Sequence, residues 1–591
     1  MLIVSNPFVD YLSRYTTASP DHEAAFDEFL AQAAPPAAGP LRLSTKVEAF
    51  LHELFQQQRP PSVILTGNAG DGKTYLCRQI VAAFQGYPLD DWNDLQDRPL
   101  ERDGIQLHVV KDLSELSETQ GISILHGVAA AQQPESNQRY FIAANEGRLR
   151  ALLSRSNALH TLNHLVDRQL REGPDPQAAC VVINLTKVST STFVPATLAW
   201  MTNPIHWQAC HTCPLMRACP IQQNAARLRD PAVAARVQLL YQILEQLDQH
   251  MTMRDMLIHL AYTITGDQQC AQLQQTPSAD YHQLAYYVNI WGGQAESSFR
   301  RKASVVQHLA RLRIGDHSFF KIDEFIVSGG ESPAEQQEHA SLFAPAVDLN
   351  QRQFGQDREA YLQGGADQAA YQEGQALHQW LPHCRRKLFF EWQHHERIIR
   401  LIPFLHLQEY HRLLTTEQGA SDILLRKIIL GLNRAFSRLY LNQNQYLYVT
   451  TQYLRSGEQP RPLVRLRFPE TDLSLEIRDL HTAAYDCDHR AIYLLIAPPA
   501  HQRISGTNQQ PLHWRIGLLQ FEYLLRLAEG GTFNILAQEC ELEIRNLKDH
   551  LLSSFPAPPD KQGQLEFFVA DREQYQLRQL RIDPNSNIIQ G

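Results

Sequence analysis

Eight consecutive residues, Gly67, Asn68, Ala69, Gly70, Asp71, Gly72, Lys73 and Thr74, spell G-x-x-x-x-G-K-T. Each residue type here suits the holding of phosphate. The glycines let the backbone turn its N–H groups inward around phosphate oxygens. Lys73 brings positive charge to the β- and γ-phosphates, and the Thr74 hydroxyl suits a Mg²⁺ ion. The apolar run SVILT (62–66) precedes the loop, and a helical pattern with Leu76, Ile80 and Phe84 on one face follows it. A helix starting near Gly72 adds the positive end of its dipole. ATP and Mg²⁺ are therefore the expected ligands. The alternative is a glycine turn that binds nothing, and the strand–loop–helix setting argues against it.

A nucleotide site of this kind also needs a carboxylate for Mg²⁺ at the tip of a neighbouring strand. Asp112 directly follows the run IQLHVV (105–110) and Lys111, and is the candidate Walker B aspartate. The next residue is Leu113, where an AAA+ hydrolase usually carries glutamate. Glu115, in the same loop, is the candidate to polarise the attacking water. Asn145 ends the run YFIAAN (140–145), where it resembles a sensor-1 residue; as a helix N-cap it would serve equally well. Glu146 competes for the role of base, and Asn184 ends a further apolar run. Arg148, Arg150, Arg227, Arg229 and Arg254 are the arginines considered for reaching a γ-phosphate.

A second chemical feature is WQACHTCPLMRACP (207–220), which puts Cys210, Cys213 and Cys219 within ten of the 591 positions of a chain with nine cysteines. A C-x-x-C pair places two thiolates on one tight turn, as a tetrahedral metal requires. Structural Zn²⁺ is the expected occupant, with an iron–sulfur cluster and no metal as alternatives. The fourth ligand is open among His206, His211 and the distant Cys270. Cys77, Cys180, Cys384, Cys487 and Cys540 stand alone and read as small hydrophobes.

These groups need elements to position them. Near-continuous apolar runs at 62–66, 105–110, 140–145 and 180–185 alternate with helical stretches, the pattern of a parallel sheet covered on both faces. The fold expected is an α/β P-loop NTPase core, AAA+-like, with a helical lid and a C-terminal α+β domain. Residues 1–43 read as an N-terminal helical segment and linker, 44–200 as the core, and 201–327 as the lid with the cysteine cluster. Residues 328–378 read as a polar flexible connection, and 379–591 as the α+β domain. Basic helical stretches around Arg385, Arg386, Lys387, Arg397 and Arg400, and around Arg426, Lys427, Arg434 and Arg438, are possible phosphate contacts; the competing reading is a solvated helix face.

Net charge is −9 with 20% charged residues, which argues against a chain whose whole surface clamps nucleic acid but allows a local basic groove. No run is long and apolar enough to span a bilayer. The first residues lack the basic n-region and long h-region of a signal peptide. The expected location is cytoplasmic, where thiols stay reduced and a cysteine cluster is more often metal-binding or catalytic than disulfide-bonded.

In their order, TGNAGDGKTYL, VVKDLSEL, FIAANEGRL, the C-x-x-C…CPIQQN stretch, MTMRDMLIHLAYTITG, RRKLFFE and ILGLNRAF resemble the DptF-type ATPases of DNA phosphorothioation-dependent restriction. The resemblance runs over about 45–550. It implies an ATP-hydrolysing subunit of a bacterial anti-phage restriction system, with partner subunits that include a separate nuclease. DNA is a possible partner, and an oligomer is compatible. It further implies ATP on Gly67, Gly72, Lys73 and Thr74, Mg²⁺ on Asp112, and Cys270 as fourth metal ligand. The cysteines then read as a staple pinning the lid to the core. The alternative function is a slow, nucleotide-dependent scaffold or signalling NTPase of another defence system.

Overall fold

The computed structural model describes residues 5–17, 36–86, 99–275, 281, 283–293, 298–343, 352–363, 368–416, 419–453, 461–479, 484–486, 490–499, 510–531, 537–555, 564–572, 574–582 and 589–590. The chain divides into two units: residues 1–245, 249–403 and 482–487, and residues 246–248, 404–481 and 488–591.

The first unit is built on five strands: β1 (Ser62–Thr66), β2 (Leu100–Arg102), β3 (Ile105–Val110), β4 (Gln138–Ala144) and β5 (Cys180–Asn184). Their order is β2-β3-β4-β1-β5. The pairs β3–β4, β4–β1 and β1–β5 are parallel, with Val63 level with Phe141 and Val181. Every residue of β1 and β5 is buried, which explains why these strands lack polar alternation. Helices cover both faces. Leu51, Leu76, Ile80 and Phe84 pack with Phe141 and Ile183 on one side, and Leu125, Leu152 and Val166 pack with Ile64 and Ile142 on the other. The sequence reading missed β2. It pairs antiparallel with β3 across Asp103 and Gly104, whose φ values of 52° and 76° suit a two-residue hairpin.

The parallel pairing has one functional consequence. The C-terminal ends of β1, β3, β4 and β5 lie along one edge of the sheet, where open α/β sheets bind ligands. Gly67, Asp112, Asn145 and Asn184 follow or end those strands.

From 194 to 328 the described residues are mainly helical. The stretch 328–378 departs from the expected flexible connection. Its described residues include the helices Pro333–Phe343 and Arg352–Gln363 and the start of Gln368–Glu391. Sparse apolar groups anchor them, with Leu342, Phe343, Phe354 and Leu377 all buried. His339 pairs with the Ile326 carbonyl at 2.9 Å, and the Trp380 indole donates to Asp357 at 2.8 Å. The expected linker 33–40 and the N-terminal segment lie partly outside the described residues.

The second unit carries two antiparallel sheets. One is β10-β9-β8, from Leu512–Ile516, Arg490–Ile496 and Leu473–Asp479. The other is β13-β12-β11-β7-β6, from Ile589–Gln590, Gln574–Ile582, Gln564–Asp571, Arg461–Pro469 and Tyr446–Tyr453. The helices Asp422–Ser437 and Leu518–Ala528 cross so closely that a Cβ on Gly431 would lie 2.3 Å from the Leu524 carbonyl oxygen. Among the described residues no helix is long and apolar enough to cross a membrane.

Candidate functional site

The loop from Gly67 to Thr74 leaves the tip of β1 and ends at the helix Lys73–Gln85, whose N-cap is Gly72. Gly72 has φ 89° and Gly70 has φ 96°, a region that side-chain-bearing residues rarely adopt. Gly70 is also hemmed in: an added Cβ would lie 2.8 Å from the Thr252 hydroxyl oxygen and 2.9 Å from the Arg254 Cβ. The Arg254 N–H donates to the Gly70 carbonyl at 3.2 Å. Of the five arginines considered, Arg254 is thus placed against the glycine loop. Arg148 donates to the Leu116 carbonyl, Arg150 pairs with Glu146 and Asp167, Arg229 donates to the Thr202 carbonyl, and Arg227 lies 3.9 Å from Glu391.

Lys73 Nζ donates to the carbonyls of Gly67 (2.9 Å) and Asn68 (2.7 Å). Asp71 turns inward, its side chain only 3% exposed. One carboxylate oxygen accepts from the Asn68 N–H at 2.6 Å, and the other pairs with His250 Nε2 at 2.8 Å. The Asp71 carboxylate thus braces the loop, tying its backbone to His250.

Burial opposes charge on His250, but Asp71, with Asp255 and Glu245 behind it, outweighs burial and raises its pKa. A raised histidine pKa stabilises the fold fully below the ordinary value, about 6.5, and this contribution fades as pH rises through the folded value. We expect His250→Gln to lower stability at pH 6 by about 1.5 kcal/mol, the low end for a hydrogen bond to a charged group, read as a lower thermal midpoint, and to differ little from the parent at pH 9. Equal deficits at both pH values would show that the charge on His250 does not matter.

Asp112 follows β3 and caps a short 3₁₀ turn, accepting from the Ser114 N–H at 2.7 Å. Leu113 is fully buried among Ile64, Leu125, Ile142 and Leu149. The position where a base was missed is therefore a core position. Glu115 is exposed on the far side of this turn. Asn145 accepts from the N–H groups of Gly147 (2.9 Å) and Arg148 (3.4 Å), so it caps the helix Glu146–Leu153. Glu146 reaches toward β5 and accepts from Asn184 Nδ2 at 3.5 Å. Because β1 runs between β4 and β5, this bond passes over the tip of the strand that feeds the glycine loop. The structure therefore puts Glu146 closer to the loop's strand than Glu115, whose strand β3 lies beyond β4.

The cysteines converge. Cys210, Cys213, Cys219 and Cys270 line one cavity of about 20 Å³, together with Asn6 and Met216. Three thiols come from one segment and the fourth from the start of the short helix Cys270–Leu273. His206 instead stacks on Phe8 at 3.8 Å, and His211 is exposed. The sequence reading missed Asn6. Its side-chain amide donates to Cys210 Sγ at 3.2 Å and its backbone N–H to Cys270 Sγ at 3.5 Å. Asn6 precedes the helix Pro7–Thr17, which packs on Met253–Thr265. Nothing in the sequence near Asn6 points to cysteines more than 200 positions away. Burial, reinforced by the neighbouring cysteines, raises Cys219 to about 11 and raises Cys210 and Cys270. Among the described residues no group of three or more His, Cys, Asp or Glu side chains is placed to hold a metal ion. The donor set itself, four thiols with N–H donors behind two of them, is what a tetrahedral thiolate site requires.

The basic stretches divide between cations paired inside the fold and cations on a solvated helix face. Arg385 grips Asp323 with two bonds of 2.6 and 2.8 Å, Arg386 pairs with Asp316, and the fully buried Lys387 lies 3.6 Å from Glu391. Arg397, Arg426 and Lys427 pair with Glu335, Glu470 and Glu529. Arg385 and Lys387 are buried in the fold, whereas Arg397, Arg426 and Lys427 form ion pairs on a solvated face.

No family model, curated protein or solved structure matches the chain.

Proposed function

We propose that the first unit is a P-loop NTPase core that binds ATP with Mg²⁺ and hydrolyses it. Its nucleotide state would be coupled to DNA or partner subunits of a bacterial anti-phage restriction system. The observation that carries this is the placement of the glycine loop, Lys73, Asp112, Asn145 and Glu146 at one edge of a parallel sheet. The resemblance to DptF-type ATPases supports the restriction role and a separate nuclease subunit. The cytoplasm is the compartment that suits both ATP and free thiols.

In this reading the backbone N–H groups around Gly70–Thr74 and the helix end cradle the phosphates. Lys73 exchanges its two carbonyl partners for phosphate oxygens. Mg²⁺, when bound, neutralises developing charge on the phosphates; Thr74 and Asp112 are the residues to hold it. Glu146 orients and deprotonates the attacking water, and Asn145 flanks it. Arg254 waits beside the loop. The four cysteines hold a structural Zn²⁺, with an iron–sulfur cluster as the competing occupant.

A second reading, a slow nucleotide-dependent scaffold, is favoured by the burial of Leu113 and by the engagement of Glu146 with Arg150 at 2.9 Å. Turnover of ATP by the purified chain separates the two. Glu146→Gln is expected to lower kcat about 100-fold while retaining ATP binding, with Glu115→Gln within about threefold of the parent. The reverse ranking would move the base to Glu115, and ATP binding with no turnover in the parent would favour the scaffold.

A further inference from the structure

The second unit contains a cavity of about 790 Å³ whose walls include Arg434, Arg438, Tyr440, Tyr523, Arg545 and Lys548. Its cations come from two helices, Asp422–Ser437 and Ala537–Ser554. Arg434 is fully engaged: it donates to the carbonyls of Leu441, Leu527 and Ala528 and to Asn442 Oδ1, at 2.6–3.0 Å. Its guanidinium also lies 3.8 Å from the Tyr440 ring centroid. One face of that ring is therefore held, yet the residue is 60% exposed. The Tyr440 hydroxyl is seated against Gly530, where an added Cβ would come within 2.8 Å of it.

Arg438 is the C-cap of its helix, with φ 56° and ψ 24°. This left-handed position is where helices ordinarily place glycine. An arginine there accepts backbone strain to present a guanidinium. That guanidinium is 65% exposed, with Glu541 the acidic neighbour at 3.9 Å. Lys548 lies in the fields of both Arg545 and Arg438; burial first, then these like charges, lowers its pKa despite Asp549 beside it. Three cations thus share one space with a single acidic wall residue, Glu541.

We propose that this cavity binds single-stranded nucleic acid, with phosphates on Arg438, Arg545 and Lys548 and a base stacked on the outer face of Tyr440. Aromatic faces beside cations are how strands are held without sequence readout, and arginine matches phosphate by its forked donors. A cavity of this volume is near the upper range for small-molecule sites, so a lone phosphate would leave most of it empty. The inference deepens the proposed coupling to DNA and rests on that part of it; it does not depend on ATP hydrolysis.

The test is fluorescence anisotropy of the full chain with a labelled oligothymidylate of about 15 nucleotides, beside a duplex of equal length. Arg438→Gly is the discriminating variant. Glycine relieves the left-handed strain, so its thermal midpoint is expected to equal or exceed the parent's while strand affinity falls about tenfold. Lys548→Gln is expected to weaken binding and flatten its salt dependence. Tyr440→Leu should weaken the single strand about fivefold or more and change duplex binding less. Strand affinity unchanged in all three variants overturns this site and leaves DNA coupling elsewhere standing. A parent that binds neither strand nor duplex overturns both. Strand affinity is measured without nucleotide and ATP turnover on its own, so failure of the ATPase reading would be seen separately.

Discussion

Replacing Lys73 by alanine is expected to weaken ATP binding by about 100-fold or more and to abolish turnover. The ammonium lies at the centre of the loop and donates to the Gly67 and Asn68 carbonyls. Its removal takes away both the charge that meets the β- and γ-phosphates and a tie across the loop. A charge-assisted hydrogen bond in a partly enclosed site contributes about 1.5–3 kcal/mol, and two such bonds to phosphate reach the stated factor. The check is isothermal titration with a slowly hydrolysed ATP analogue, together with phosphate release. Thermal stability should stay close to the parent's, because Lys73 is only half-buried and its partners are loop carbonyls that water can reach. ATP affinity that survives the change would remove the glycine loop from the argument.

Cys270→Ser is expected to lower metal content from about one ion per chain toward zero and to cost several kcal/mol of stability. A serine hydroxyl keeps the volume but does not ionise to a soft donor. In the metal reading Cys270 would tie two segments together, since the other three thiols lie within ten residues of each other. Its loss should therefore loosen the helical region more than Cys213→Ser does. The readouts are elemental analysis, with a thermal midpoint lower by about 5–10 °C. A stable parent preparation that holds neither zinc nor iron would end the metal reading. Retained iron with inorganic sulfide would replace zinc by a cluster.

The two chemical features were legible in the sequence for different reasons. The glycine loop declares itself because its pattern is local: the whole motif lies in eight adjacent residues. The strands declare themselves because β1 and β5 are buried on both faces, so their apolar runs are uninterrupted. What stayed hidden is non-local. The partners of Arg385 and Arg386 lie 62 and 70 positions upstream, so one buried and one part-exposed ion pair looked like a solvated basic face. The helices in 328–378 were hidden by composition, since a few anchors such as Phe354 and Leu377 hold a mostly polar stretch. Leu113 looked like a missing catalytic acid, whereas burial makes that position part of the core. Which of Glu115 and Glu146 stands nearer to β1 required the strand order, which no spacing along the chain discloses.

The brace beneath the glycine loop has a consequence for how the protein can be divided. The Asp71–His250 contact spans 179 positions, and the Gly70 carbonyl is held by Arg254, which is slightly farther along the chain. A fragment ending after β5 would keep every residue of G-x-x-x-x-G-K-T and all five strands. It would also leave the Asp71 carboxylate buried without its cation and the Gly70 carbonyl without its donor. The motif is portable as text, but the loop is not portable as an object. Its smallest working unit includes the helix Met253–Thr265.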